Sequence, residues 1–173
     1  FVLVGTTHPG NIGASARAIK TVGLSKLKLV DPKDFPNDVA FYRAKAAKDV
    51  LDQAEIHLDL FSATKDCELI IGTSARNRKV PWPVITPKEV GKEIVNALKT
   101  GINDVAVIFG REDRGLTNEE LGMCNLHVHI PSNEEYSSLN LSQAVQILSY
   151  ETRLAMLESA DLLEKPEWDV ELA

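Results

Sequence analysis

The chain has 173 residues, 44% of them hydrophobic and 25% charged, and a formal net charge of −6. This length accommodates one domain with a full core, and this composition excludes wholesale disorder. No apolar run approaches the ~20 residues that span a bilayer, and Cys67 and Cys124 are too few and too scattered for a disulfide framework or a zinc site, so they read as buried reduced thiols of a cytoplasmic protein with no membrane partner.

From the N-terminus, residues 1–5 (FVLVG) are a short apolar run that reads as a buried strand. Residues 11–22 place Ile12, Ala16 and Ile19 at helical spacing after an Asn start, and Gly23 ends the helix. Residues 26–30 alternate as a strand that Asp31-Pro32 stops. A helix is predicted over 39–47, with a less regular continuation towards Leu51. A short helix over 60–66 precedes a second wholly apolar strand at 69–72. Thr86-Pro87, a cap followed by proline at the first helical position, opens an amphipathic helix over 86–98. Residues 104–110 (DVAVIFG) read as a buried strand, and Thr117-Asn118-Glu119-Glu120 as a helix start with a capping-box pattern. Another strand over 126–130 leads to the longest helix, 141–158. Strands that alternate with helices, several of them apolar on both faces, predict an α/β fold with a mostly parallel sheet covered on both sides. A Rossmann-like strand order satisfies this pattern equally. Residues 1–158 are expected to form the domain, and 159–173 an acidic tail or the start of an extension.

A negative chain is at first sight a poor nucleic-acid binder. The charge is unevenly placed, however: residues 1–99 hold 15 Lys+Arg against 11 Asp+Glu, and residues 100–173 hold 4 against 14. Candidates for a local basic face are Arg43, Lys45 and Lys48, then Arg76, Arg78 and Lys79, then Arg111 and Arg114. An ordinary solvated helix face fits Arg43 to Lys48 as well. It fits Arg76 to Lys79 less well, because that run follows a strand directly.

Three loops concentrate polar chemistry. The segment from Gly5 to Gly13 lies where a phosphate loop would sit, yet it matches neither the dinucleotide nor the NTPase glycine pattern. It carries Asn11 and Arg17 around the first helical turns, where an Arg either grips a phosphate or is a plain surface residue. In the second loop, Gly110-Arg111-Glu112-Asp113-Arg114-Gly115-Leu116, Gly110 permits close backbone approach to a ligand. Glu112 there has the chemistry to tie neighbouring loops by accepting backbone N–H bonds. Arg111 and Arg114 are either RNA contacts or partners of Glu112 and Asp113. The third loop, Tyr136-Ser137-Ser138-Leu139-Asn140-Leu141-Ser142, follows His129-Ile130-Pro131 and reads as a polar small-molecule pocket at a helix N-terminus or as a capping loop. His8, and the pair His127 and His129 on one strand face, lack partners at metal-ligand spacing. Trp82 between two prolines reads as a loop anchor or a base-stacking side chain.

In this order the three motifs resemble the SpoU/TrmH branch of the SPOUT RNA methyltransferases. Within that branch, Gly72-Thr73-Ser74-Ala75-Arg76 and Pro81-Trp82-Pro83 resemble the TrmJ-type tRNA ribose 2′-O-methyltransferases, and the resemblance covers residues 1–157. It implies a C-terminal trefoil knot, which no pattern argument produces because knots are nearly absent from proteins. It also implies S-adenosylmethionine as cofactor, in a bent form held mainly by backbone groups. Its cradle would be Thr73, Ser74 and Ala75, then Gly110, then Ile130 with Ser137, Ser138 and Leu139; no metal is implied.

The reaction implied is in-line attack of a ribose 2′-hydroxyl on the sulfonium methyl, so the protein aligns the two and helps the hydroxyl lose its proton. Arg17 takes the central role, either as base or as phosphate clamp and stabiliser of the developing alkoxide. The clamp is favoured because a guanidinium is a poor base. Ser138 and Asn140 would orient the ribose and Arg17, with Asn11 and Glu112 completing the catalytic set. RNA contacts would come from Arg17, Arg76, Arg78, Lys79, Arg111 and Arg114. The expected acceptor is nucleotide 32 of a tRNA anticodon loop; alternatives are ribosomal RNA, or an RNA-binding module without activity. The resemblance implies a homodimer. Leu141, Val145, Leu148, Thr152, Ala155 and Met156 form a broad apolar stripe on the last helix, which suits either a contact between copies or a helix buried within one chain.

Overall fold

The computed structural model describes residues 1–74, 83–133, 135–136 and 139–159. Strand β1 (Val2–Val4) leads into α1 (Pro9–Thr21), and β2 (Lys28–Val30) into α2 (Asp38–Ala44), a 3-10 turn (Lys45–Ala47) and α3 (Lys48–Asp52). Next come β3 (Glu55–His57), α4 (Leu60–Thr64), β4 (Leu69–Thr73), β5 (Val84–Ile85) and α5 (Pro87–Lys99). The chain continues through β6 (Val105–Phe109), α6 (Asn118–Gly122), β7 (Leu126–Val128) and α7 (Leu141–Glu158). The seven strands form one sheet in the order β3-β2-β1-β6-β4-β7-β5, every neighbouring pair parallel. The predicted α/β architecture is therefore the one formed. The knot implied by the resemblance turns on chain segments that include residues outside those described.

Alternation along each strand divides the core between the two sheet faces. Leu3, Val107 and Phe109 pack with Ile12, Ile19, Val90, Ile94, Val145 and Leu148 of α1, α5 and α7. Val2, Val4, Ala106 and Ile108 pack on the other face with Leu60, Ala63 and Leu121 of α4 and α6.

Local chemistry sets most element ends. The Thr86 hydroxyl accepts from the Glu89 N–H with Pro87 inside the first turn of α5, and Thr117 and Glu120 form the reciprocal capping box of α6. Three departures from the sequence reading have physical causes. Helix α1 starts at Pro9, before the predicted Asn11, because proline needs no N–H there and the Asn11 amide is bonded elsewhere. The helix predicted over 39–47 breaks at Lys45, whose φ of 53° lies in the left-handed half of backbone space. Strands β3 and β5 were not predicted; both are short sheet edges with exposed residues, so neither carries an alternating or fully apolar signature.

Of the two readings of the α7 stripe, burial within one chain accounts for most of it. Leu141, Val145, Leu148 and Thr152 are buried within one chain, and Met156 packs against the same core. The helix lies against α5 and α1. Its large exposed apolar side chain is Tyr150, which is not in the stripe.

Helices α1 and α2 approach unusually closely at Gly13, where a Cβ would run into the Ala40 carbonyl and lie 2.9 Å from Arg43 Cβ. At Gly10, one turn earlier, the nearest atoms to such a Cβ are at 3.8 and 3.9 Å, an ordinary contact. Glycine-to-alanine changes in helices normally stabilise, by up to ~1 kcal/mol. Here the sign should differ between the two positions. Gly13→Ala should destabilise by about 1–3 kcal/mol through overpacking, and Gly10→Ala should be neutral or stabilising. Denaturant unfolding of the two variants measures this; equal effects would contradict the close helix approach.

Candidate active site

Glu112 stands where the loops after β1 and β6 meet, and its carboxylate has three donors. Oε1 accepts the Thr7 N–H at 2.8 Å, while Oε2 accepts the His8 N–H at 2.8 Å and the Asn11 side-chain amide at 3.1 Å. Asn11 in turn accepts through Oδ1 from the Asn140 amide at 3.2 Å. The Asn140 Oδ1 accepts from the Ser142 N–H at 2.9 Å and the Ser142 hydroxyl at 2.6 Å, which caps α7. The polarity of this chain is fixed from one end. A carboxylate accepts only, so Asn11 must offer it the NH2 group, leaving its oxygen for Asn140. Asn140 must then offer its own NH2, leaving its oxygen for the helix N-terminus. The expectation that Glu112 ties loops through backbone N–H groups is met.

Burial is the strongest single influence on Glu112 and pushes its pKa upward. The N–H groups of Thr7 and His8 and the Asn11 amide together outweigh it and hold the carboxyl below the ordinary 4.5. His8 contributes its backbone as cap residue of α1, and its ring is exposed.

Beside this network lies a cleft of about 270 Å3 at the C-terminal ends of β4, β6 and β7, the position where parallel sheets bind ligands. Thr73 and Ser74 form one wall, Phe109 and the loop of residues 110–115 another, and residues 128–130 with Ser132, Leu139, Leu141 and Ala144 the rest. Thr73 Oγ1 donates to the Ile108 carbonyl at 2.9 Å, which joins the ends of β4 and β6. The structure thus gathers Thr73, Ser74, Gly110, Ile130 and Leu139, drawn from four separate segments, around one space. Ala75, Ser137 and Ser138, like Arg76, Arg78, Lys79 and Trp82, lie outside the described residues.

The loop after β6 is braced in a way the sequence did not reveal. Arg111 and Gly115 exchange backbone hydrogen bonds, and a Cβ on Gly110 would strike the backbone of Gly115 and Leu116. Gly110 therefore permits close approach of the chain to itself, and it also borders the cleft. Arg111 reaches neither Glu112 nor Asp113. Its guanidinium donates through Nη1 and Nη2 to the two Glu120 carboxylate oxygens, at 2.7 and 3.4 Å, and that bond raises the Arg111 pKa. Arg114 does pair with Asp113, at 3.4 Å, but both are exposed and such pairs contribute ~1 kcal/mol at most.

Arg17 is exposed on α1 and is not part of the cleft lining. His129, passed over in the sequence because it had no metal-spaced partner, does line the cleft, with Nδ1 at 3.1 Å from the Ser74 carbonyl. Its one legible signal was its place at the end of a parallel strand. His127 is buried, with Nε2 at 2.9 Å from the Leu121 carbonyl.

Because the folded pKa of Glu112 is depressed, its carboxylate stabilises the fold fully above about 4.5, and this contribution is lost as pH falls through the lower folded value. Glu112→Gln should therefore be less stable than wild type at pH 7, with the difference shrinking below pH 4. Thermal unfolding across that range checks it; a gap independent of pH would mean that the charge on Glu112 is not what holds the loops.

Residues 1–150 match the SpoU rRNA Methylase family. The chain is 51% identical over 156 residues to the tRNA (cytidine/uridine/adenosine-2′-O-)-methyltransferase TrmJ of Pseudomonas aeruginosa, covering 90% of this chain and 60% of that protein. It is 48% identical over 168 residues to the tRNA (cytidine/uridine-2′-O-)-methyltransferase TrmJ of Escherichia coli, covering 96% and 67%. Among solved structures, TrmJ from Z. mobilis ZM4 superposes with a TM-score of 0.83 at 34% identity, over 96% of this chain and 70% of that one. The SpoU methyltransferase AviRb from Streptomyces viridochromogenes, in complex with AdoMet, gives 0.73 at 18% identity over 91% and 60%, a likeness of fold alone. The chain spans about 60% of the length of the Pseudomonas relative. With its sheet order, its cleft and a family match that runs from β1 into α7, the chain belongs to the SpoU rRNA methylase family.

Proposed function

We propose that this protein transfers a methyl group from S-adenosylmethionine to the 2′-hydroxyl of a tRNA ribose. The observation that carries the reading is the hydrogen-bonded line from Glu112 through Asn11 to Asn140, which holds three motif loops beside one cleft. Half-identity to proteins named as tRNA 2′-O-methyltransferases supports tRNA as the acceptor. Nucleotide 32 of the anticodon loop is the acceptor position we favour. The family's name makes ribosomal RNA the competing substrate.

The cleft fits the donor in kind: polar Thr73 and Ser74 face apolar Val128, Ile130, Leu139 and Leu141 across a space bordered by the backbone of residues 110–115. Thr73, Ser74, Gly110, Ile130 and Leu139 would hold it, with Ala75, Ser137 and Ser138 as further contacts. When bound, it supplies a methyl group already activated on sulfur. What is left to the protein is alignment and management of the hydroxyl proton.

Asn11, Glu112 and Asn140 bond to one another and to the α7 cap, so we assign them positioning and keep direct contact with RNA for Arg17. Among the described residues Arg17 has no ion pair or hydrogen-bond partner, which leaves its planar fork available to an RNA phosphate. Its position outside the cleft supports a homodimer in which Arg17 of one copy serves the cleft of the other. Further RNA contacts are assigned to Arg76, Arg78, Lys79 and Arg114. Arg111, held by Glu120, braces its loop.

Transfer of a labelled methyl group to unmodified tRNA, followed by mapping of the modified ribose, tests this reading. Ribosomal RNA accepting the label while tRNA does not would overturn it. Arg17→Ala should lower transfer at least a hundredfold with donor affinity nearly unchanged. Arg17→Lys should be poor at every pH, since a clamp needs the fork and Lys lacks it. Recovery of the Lys variant as pH rises would instead make proton abstraction the main role. Gly110→Val should weaken donor binding in calorimetry by displacing the Gly115 and Leu116 backbone.

A further inference from the structure

The edge of α2 next to Arg17 carries charge and strain that the fold does not use. On α1, Gly10, Gly13 and Arg17 recur at three- and four-residue intervals and so share one face, the face on which α2 packs. Arg43 of α2 lies directly on that face: its Cβ would be 2.9 Å from a Cβ at Gly13, and its Cγ 3.9 Å from one at Gly10. The close approach that Gly13 permits thus brings Arg43 alongside the stripe that ends in Arg17. Arg43 is exposed and, like Lys45 and Lys48, has no ion-pair partner among the described residues. The nearby acid Asp49 is already engaged by Lys20 at 2.7 Å.

Lys45 is the informative residue. It has φ 53° and ψ −124°, a conformation that glycine adopts freely and that an L side chain adopts only with strain. A lysine there costs folding free energy that glycine would not. Strain of this kind persists at ligand clamps because the side chain has another task. The turn sends the Lys45 ammonium back over the Tyr42 ring, 4.0 Å from its centroid, and Tyr42 is itself 68% exposed. A solvated helix face explains the charges. It does not explain why a strained position holds a cation above a bare aromatic ring.

We propose that Tyr42, Arg43 and Lys45 form an RNA contact flanking Arg17, with the two cations on backbone phosphates and Tyr42 stacked on an adjacent base or ribose. The inference rests on RNA as the acceptor. Unpaired cations interleaved with an exposed aromatic are the pattern that binds a nucleic-acid backbone without reading its sequence.

The test is binding of unmodified tRNA transcript to the protein across 50–200 mM salt, together with donor calorimetry, thermal unfolding and sedimentation. Lys45→Gly should raise the unfolding temperature, weaken tRNA binding about three- to tenfold and reduce the salt slope by about one. Lys45→Arg should retain affinity, and Arg43→Gln should weaken binding much as Lys45→Gly does, with donor affinity unchanged in each. Lys65→Ala, at an exposed cation ending α4 on the other face of the sheet, should leave the salt slope as it is. Variants at 43 and 45 that bind tRNA as wild type does overturn this proposal alone. A changed sedimentation coefficient with unchanged tRNA binding overturns it in favour of a contact between copies. Wild-type protein that binds donor but no tRNA overturns the substrate reading and this one with it.

Discussion

A carboxylate between two loops that lie more than a hundred positions apart in sequence is the constraint on which the rest of the site depends. Glu112 joins the loop after β6 to the start of α1 through Thr7 and His8, at sequence separations of 105 and 104. Hydrogen bonds to a charged group contribute roughly 1.5–3 kcal/mol each, more than neutral ones. No exposed ion pair in the neighbourhood matches that. Through Asn11 the same carboxylate fixes which way the Asn140 amide points, and Asn140 caps the longest helix.

The sheet explains why such a brace is needed. All seven strands run in the same direction, so the loops at their C-terminal ends converge on one rim although they come from distant parts of the sequence. β1 and β6 are neighbours in the sheet, but the chain leaves them towards opposite edges. A cleft there is open by topology, and its shape is set by whatever crosses the gap. Glu112 crosses it on one side, and the Arg111–Glu120 pair stiffens the loop that carries Glu112. Burial pushes the Glu120 carboxyl up, but Arg111 and the Thr117 N–H hold it below the usual range, so the brace is ionic at neutral pH.

What the sequence revealed was local or patterned. Thr86-Pro87 and the Thr117–Glu120 box mark their helices because a cap needs only residues three positions apart. The parallel sheet was legible because DVAVIFG and LIIG are apolar on both faces. The motif loops were legible as places, and Glu112 even in its manner of bonding. The partners were not. Glu120 as the mate of Arg111, and Ala40 as the reason for Gly13, depend on tertiary approach that no spacing encodes. The break at Lys45 was hidden because no glycine or proline marks it, and the edges β3 and β5 because a two- or three-residue exposed strand has no period to detect. The α7 stripe left two readings open for a related reason: an apolar face has the same sequence whether it meets its own chain or another.

The coupling of the three loops through one carboxylate is tested most directly by amide hydrogen exchange in Glu112→Ala against wild type. Loss of the carboxylate should speed exchange at Thr7 and His8, which donate to it, and also at Ser142, whose N–H donates to an Asn140 oriented through Asn11. The β6 amides should stay protected. Faster exchange at Thr7 and His8 with Ser142 unchanged would contradict the account, since the cap of α7 would then stand without Glu112.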